Sequence, residues 1–329
     1  MKEKVTLYHI AEELGISAST VSRVLNGSSL ISDERSRLIQ ETATRMGYIP
    51  RNVKRQKNRA ILNIQLFLPP SRETFIHLFY DVAQVLEGIQ EGFDNVSLNI
   101  TTRLNDGDDS FLEKKKTSQV DGCIFAFTRG SRSLLKTLEK KDIPYIHLNR
   151  KVEPAYVVYD MAREMDQLAE ALYQKHGNSL KPAYLGFSPL SSVDEERWNG
   201  AKEACRKRGI ILNDQDRFSL DNIEDMDDNL EEICKGDYNA LFAFNDLMAM
   251  SFYQRAQSSG INIPGDLSLC GIDNSPIQQI SPVRIDTIDF SVLLLGKEAG
   301  QWLYKRLIEK EKLPCRLTLD GEYIKGDTL

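Results

Sequence analysis

Ser19, Thr20, Ser22, Arg23 and Asn26 are short or charged hydrogen-bonding residues that fall on one side of a short stretch. Its other side carries Val21, Val24 and Leu25. Such a set can exchange hydrogen bonds with base edges and phosphates, provided a helix presents it on one face. Ser17 is a good N-cap for that helix, because its hydroxyl can accept from an orphan backbone N–H of the first turn. The preceding residues supply a supporting helix, with Leu7, Ile10, Ala11 and Leu14 at i, i+3, i+4 and i+7. Gly15 separates the two. Two short helices joined by a tight glycine turn, the second polar on one side, describe a helix-turn-helix whose second helix would lie in a DNA major groove. An ordinary helical hairpin shows the same periodicity, so the rest of the chain has to decide.

The distribution of charge favours the first reading. The 329 residues have a net charge of −6, but residues 1–60 hold eleven Lys/Arg against six Asp/Glu. The remaining chain is strongly acidic. A small basic head on an acidic body is expected where only the head meets a polyanion. Residues 51–59, RNVKRQKNR, contain five basic residues and no acid. They read either as a solvated linker or as a segment that neutralises phosphates, and beside a helix-turn-helix the second is preferred. Between the two lies a third helix, capped by Ser32, with Asp33 and Glu34 in its first turn. Leu38, Ile39, Thr42, Ala43 and Met46 form its expected core stripe, Gly47 closes it and Pro50 follows.

Composition excludes several classes. No apolar run is long enough to span a membrane, and no signal-peptide pattern opens the chain. Cys123, Cys205, Cys234, Cys270 and Cys315 form no C-x-x-C pair and read as reduced cytoplasmic thiols. His9, His77, His147 and His176 lie far apart, which gives no local support for a metal site or triad. There is no G-x-G-x-x-G, Walker loop, G-x-S-x-G or H-E-x-x-H motif, so neither an enzyme nor a cofactor is expected.

From residue 61 apolar runs alternate with helical stretches. The runs are 61–68, 96–101, 122–127, 144–148, 156–159, 182–187, 240–244 and 267–272. Amphipathic segments fall near 78–93, 131–140, 162–175, 195–208, 225–235, 246–259 and 291–310. This alternation predicts parallel sheets covered on both faces, and the number of runs predicts two α/β subdomains. Ligands of such sheets sit beyond the carboxyl ends of the strands, here the cleft between the two. Polar residues stand at those ends: Thr128-Arg129, Asn149-Arg150, Asn245-Asp246 and Asp273-Asn274. Each pair is equally compatible with an ordinary turn or helix cap.

With these residues in view, the chain resembles the lactose/galactose repressor (LacI/GalR) family of bacterial transcription regulators. The head carries the most specific match, VTLYHIAEELGISASTVSRVLNG and then MGYIPRNV. In the body, VDGCIF, IPYIHLNR, ERWNGAKEA, AFNDLMAM, INIPGDLSLCGIDN and DTIDF follow in the family's order. The resemblance implies an all-α helix-turn-helix domain at 1–50 and a basic hinge at 51–60. It also implies a periplasmic-binding-protein-like core of two doubly wound parallel-sheet subdomains. The first would comprise 61–160 and 289–318, the second 161–288 and 319–329.

The resemblance also implies a homodimer, joined through side helices of both subdomains, on a pseudo-palindromic double-stranded DNA operator. Ala18, Ser19 and Arg23 would hold base-reading positions, with Arg23 the candidate for a bidentate guanine contact. Thr6, Tyr8, Ser17, Thr20 and Asn26 would contact the backbone. One departure falls in the hinge. The family usually wedges a leucine into the minor groove, and here the matching residue is Lys57, with Lys54 in place of the usual alanine. Lysine reaches phosphate but is no apolar wedge. Val53 is a neighbouring apolar candidate for the wedge, and Arg55 and Lys57 add charge. Weaker bending is expected.

For the effector, Arg197, Asp273, Asn245 and Asp246 match positions that bind polar ligands in the family. Arg129 and Arg150 join them from the strand ends. Phe75 and Trp198 are candidate apolar faces for a sugar ring, and each is equally compatible with core packing. The aromatic residue often used for stacking near 218–222 has no clear counterpart; Phe218 is expected on a strand, followed by Leu220-Asp221-Asn222. The implied ligand is a small polar molecule, a sugar or sugar derivative. It would control DNA affinity through its differential affinity for two subdomain arrangements. No heptad pattern follows the last strand, so a tetramer through a C-terminal coiled coil is not expected. The rival readings are a ligand-independent regulator with a vestigial cleft, an exported sugar-binding protein and a doubly wound enzyme. The last two leave residues 1–59 unexplained.

Overall fold

A computed structural model describes residues 7–25, 33–46, 61–70, 81–105 and 120–329. The chain divides into two compact units, Met1–Ile61 and Leu62–Leu329.

Among the described residues the first unit contains three helices: α1 (Leu7–Leu14), α2 (Ala18–Leu25) and α3 (Asp33–Arg45). Ile10, Ala11, Val21, Val24, Ile39 and Ala43 form its core. The turn between α1 and α2 needs a left-handed residue, and Gly15 supplies it at φ +62°. The Ser17 hydroxyl accepts from the Thr20 N–H at 3.2 Å, which makes it the N-cap of α2. Arg45 reaches back from α3 to Glu13 on α1 at 3.0 Å. One expected core residue is out of place: Leu38 is 53 % exposed. Ile39, Thr42, Ala43 and Met46 complete an i, i+3, i+4, i+7 stripe, and Leu38 lies about 100° to its side. The Ser32 cap, Gly47 and Pro50 lie outside the described residues.

The second unit is built on two parallel sheets. One has the order β11-β5-β4-β3-β1-β2. Its strands are β1 (Leu62–Leu68), β2 (Leu98–Leu104), β3 (Gly122–Ala126), β4 (Tyr145–Leu148), β5 (Ala155–Tyr159) and β11 (Cys315–Leu319). The other has the order β7-β6-β8-β9. It is formed by β6 (Pro182–Phe187), β7 (Arg217–Leu220), β8 (Ala240–Ala243) and β9 (Ser268–Cys270). Every pair within each sheet is parallel. β3 and β6 are buried along their whole length, as the continuous apolar runs require of strands covered on both faces.

Helices α4 (Val82–Gly92), α5 (Arg132–Lys140), α6 (Met161–His176), α7 (Ser191–Lys207), α8 (Met226–Lys235), α9 (Asp246–Ser258) and α10 (Val292–Tyr304) connect the strands. The chain passes from the first sheet to the second between β5 and α6. It returns through β10 (Thr287–Asp289), and β12 (Glu322–Ile324) pairs antiparallel with β10 after β11. Four glycines lock the returning helix. A Cβ on Gly88 would lie 2.0 Å from the Leu293 carbonyl oxygen, and one on Gly296 would lie 2.4 Å from that of Val85. Gly92 and Gly300 repeat this contact one turn on, so the backbones of α4 and α10 touch directly.

Candidate functional site

The carboxyl ends of both sheets face one cleft. Beyond β3 stand Phe127, Thr128 and Arg129, and beyond β4 stand Asn149 and Arg150. Beyond β8 and β9 stand Phe244 and Asp273. The backbone there is strained: Phe127 has φ +60°, Asn149 +53°, Asp273 +99° and Asn274 +44°. Non-glycine residues in this region cost of order 1 kcal/mol each and gather at functional sites.

Two adjoining cavities make up the cleft. The inner one has a volume of about 50 Å³; Phe127, Asn149, Phe244 and Phe290 wall it together with Arg197 and Asp273. The outer one, of about 560 Å³, is more polar, with Arg129, Arg150, Lys151, Glu196 and Arg197 in its wall.

Arg197 joins the two. It rises from α7, is 3 % exposed, and donates through Nη2 to Asp273 Oδ1 at 2.6 Å. It also donates to the Phe244 carbonyl, and its guanidinium lies 4.6 Å from the centre of the Phe244 ring. Its Nε has no partner in the protein. Burial raises the Asp273 carboxyl above its ordinary range, opposed by the charges of Arg197 and Arg150.

The loop that carries Arg129 is fixed. Asn105, just past β2, donates to Thr128 Oγ1 at 2.7 Å and to the Arg129 carbonyl at 2.8 Å. The Gly130 N–H reaches His147 Nε2 at 3.4 Å. Burial lowers the His147 pKa to about 4, so the ring is neutral near pH 7 and can accept there. Arg150 donates to the Asn149 carbonyl at 2.6 Å.

Three expected ligand contacts fall elsewhere. Asp246 is fully buried and turned away from the cleft. Its carboxylate accepts from Thr287 Oγ1 at 2.6 Å and from the Ser275 N–H at 2.7 Å, and burial pushes its pKa up to about 8. It braces the loop that presents Asp273. Trp198 is 2 % exposed, packs 5.4 Å from the Tyr184 ring and carries Lys202 and Arg217 over its own. It is a core residue, because it follows Arg197 by one position and so faces the other side of α7. Asn245 spends its Oδ1 on the N-cap of α9, accepting from Met248 N–H at 3.0 Å. Its Nδ2 is buried without a partner, and its side chain is not in the wall of either cavity. Phe218 is on β7 and packs edge-on against Tyr238, so it supplies no stacking face. Phe75 lies outside the described residues.

Strand-end reasoning missed the apolar wall. Phe127 ends a run taken as pure strand, and Phe290 closes a crossover too short to carry a periodic signal.

On the head, Tyr8 lies on α1, and Ala18, Ser19, Thr20 and Arg23 lie along α2. Ser17 also pairs with the Thr20 hydroxyl at 2.8 Å. Thr6, Asn26, Val53, Arg55 and Lys57 lie outside the described residues. Among the described residues no helix is long and apolar enough to cross a membrane, and no cluster of three His, Cys, Asp or Glu could hold a metal.

Comparison with known proteins agrees with this architecture. Residues 6–51 match the model of bacterial regulatory proteins of the lacI family, and residues 171–329 that of a periplasmic binding protein-like domain. The HTH-type transcriptional regulator DegA of Bacillus subtilis (strain 168) is 25% identical over 335 residues, covering 98% of this chain and 97% of its own. The transcriptional regulator CelR in complex with cellobiose shares the fold, with a TM-score of 0.66 and 21% identity over 99% of this chain and 100% of that one. The lac repressor dimer bound to operator does so with a TM-score of 0.65 and 20% identity over 99% of each chain. The head match, the body match and full-length relatives that are transcriptional regulators converge, and the chain belongs to the lacI family of bacterial regulatory proteins.

Proposed function

We propose that this chain is a cytoplasmic transcriptional regulator that binds a pseudo-palindromic operator as a homodimer. A small polar effector, a sugar or sugar derivative, sets its DNA affinity from the cleft between the two α/β subdomains. The observation that carries the reading is convergence: Arg129, Asn149 and Arg150 from one sheet meet Arg197 and Asp273 from the other across one cleft. The solved relatives point the same way, since CelR is seen with cellobiose and the lac repressor with its operator.

In this reading Ala18, Ser19 and Arg23 read bases, and Thr6, Tyr8, Ser17, Thr20 and Asn26 hold the backbone. Val53, Arg55 and Lys57 act at the hinge. The ligand closes 61–160 with 289–318 onto 161–288 with 319–329. Closure changes DNA affinity only as far as the ligand distinguishes the two arrangements.

A second reading, a regulator that has lost its effector, draws support from one fact. The inner cavity of about 50 Å³ is small, and its charged lining is a pair, Arg197 and Asp273, already joined to each other. A ligand panel read by thermal unfolding and by DNA affinity separates the two. A true effector at a hundredfold excess over its Kd adds about 2.7 kcal/mol to the body and shifts DNA affinity. A panel that moves neither favours the second reading.

A further inference from the structure

The two walls of the outer cavity differ in charge. On the wall formed by the ends of β3 and β4 stand Arg129, Arg150 and Lys151, with no acid among them. The acids that line the cavity elsewhere are largely committed. The Asp160 carboxylate accepts from the Ala162 and Arg163 N–H groups at the start of α6. Glu203 takes two hydrogen bonds from Arg206, both at 2.7 Å. Glu196 stands across the cavity on α7. A fourth cation, Arg197, enters where the cavities join, buried and with its Nε unpartnered.

The cation-bearing wall is held in place before any ligand arrives. Asn105 pins the loop of Arg129 twice, and neutral His147 faces the next N–H. An arginine fork matches the paired oxygens of a phosphate or carboxylate, and the loop beneath Arg129 has no backbone freedom left to lose on binding one.

Size adds to the argument. An inner cavity of about 50 Å³ has room for a hydroxymethyl group or a water, not for a ring, whereas the outer one at about 560 Å³ accommodates a ring with a substituent.

Resting on the proposed effector cleft, we infer that the effector is a small polyol bearing one compact anionic group, phosphate or carboxylate. Arg129 and Arg150 hold the anion, with Lys151 at the rim. The ring occupies the outer cavity, and its inward hydroxyl meets Asn149 and Asp273.

Calorimetric titration of the full chain tests this with glucose, galactose and mannose, their 6-phosphates, gluconate and inorganic phosphate, at two salt concentrations. At least one phosphate or carboxylate is expected to bind tenfold or more tighter than its neutral parent, and more weakly at high salt. Inorganic phosphate is expected to compete with it. Arg129→Gln and Arg150→Gln should each weaken it about tenfold, with the thermal midpoint of the body unchanged for exposed Arg129. Lys140→Gln, at the opposite end of the sheet, should change nothing. The phosphate and gluconate arms identify which anion is held.

Neutral sugars that bind as tightly as their anions, or arginine variants that bind unchanged, overturn the inference. Failure of every anion to bind, inorganic phosphate included, in protein that still binds DNA overturns it as well. A neutral sugar that binds and shifts DNA affinity leaves effector control standing while the anion is lost. No ligand of any kind shifting DNA affinity is the separate failure of effector control itself.

Discussion

Arg197 on α7 and Asp273 beyond β9 form a 2.6 Å ion pair whose side chains are only 4% and 16% exposed. The pair stands in the walls of both the cleft's cavities through Arg197, whose buried Nε has no partner in the protein. Removing one member strands a charge away from water, at a cost of about 3 kcal/mol. Arg197→Met is therefore expected to destabilise the body by about that amount and to abolish any ligand response. The double variant Arg197→Met, Asp273→Asn should recover part of the loss, because the two positions are coupled. Urea unfolding of the full chain measures the two single variants, Arg197→Met and Asp273→Asn, and the double one. Additive losses would show that the pair is not the coupled unit described.

Glu164 makes the body sensitive to pH. It lies in α6, is fully buried, and accepts from the Gly321 N–H at 2.7 Å beside the third crossover, while its other oxygen has no partner. Burial, aided by the charges of Asp160 and Asp320, pushes its pKa up from 4.5 to about 7. Because the folded value is raised, its contribution is full below about pH 4.5 and is lost as pH rises through about 7. The wild type should lose up to about 3 kcal/mol across that window from this group. Glu164→Gln should not show that loss and should be the more stable protein at pH 8. Parallel stability–pH curves for the two would contradict the assignment.

Much of this was legible in the sequence, and the exceptions have physical causes. The head follows from its 3.6-residue period, a glycine turn and a serine cap, all local signals. The two parallel sheets follow from apolar runs alternating with helices, and the rule that ligands sit beyond strand ends leads to Asp273, Arg129 and Arg150, whereas Arg197, inside a helix, comes only from the family resemblance. The crossover strands β10 and β12 are three residues each and give no period. β11 alternates Cys315, Leu317 and Leu319 with exposed Arg316 and Thr318, as an edge strand does, and lacks the continuous apolar signature of its neighbours. Trp198 stands one residue from Arg197, and Asp246 two residues from Phe244, the residues that do line the cleft. Sequence spacing alone does not say which side of a helix start, or of a helix, meets the cleft.

The glycine contacts between α4 and α10 give a stability test away from the cleft. A methyl on Gly296 would meet the Val85 carbonyl at 2.4 Å and the Ile89 nitrogen at 3.0 Å, so Gly296→Ala should cost about 1–3 kcal/mol by overpacking. Gly209→Ala, at the left-handed position that ends α7 (φ +72°), meets nothing within 4 Å and should cost only the strain of a left-handed residue, about 1 kcal/mol. Chemical denaturation of the two variants measures the difference. Equal losses would mean that the helices part easily.

If residues 51–60 act as the proposed hinge, Lys57 in place of leucine predicts an operator complex with weaker bending. Lys57→Leu should increase DNA bending in a gel-phasing assay. It should also lower the slope of log affinity against log salt by about 0.9, the share of one phosphate contact. A wild-type complex already kinked as sharply as the leucine variant would contradict this reading of the hinge.

The central claim is that a basic helix-turn-helix head reads a symmetric site. Selection from random duplexes by the purified full chain, at two salt concentrations with sequencing of the retained DNA, tests it most directly. The account predicts enrichment of a two-fold symmetric sequence with half-sites about one helical turn apart, a guanine dependence removed by Arg23→Ala, and retention that falls steeply with salt. Retention without any symmetric sequence, in the presence and absence of ligands, would contradict it.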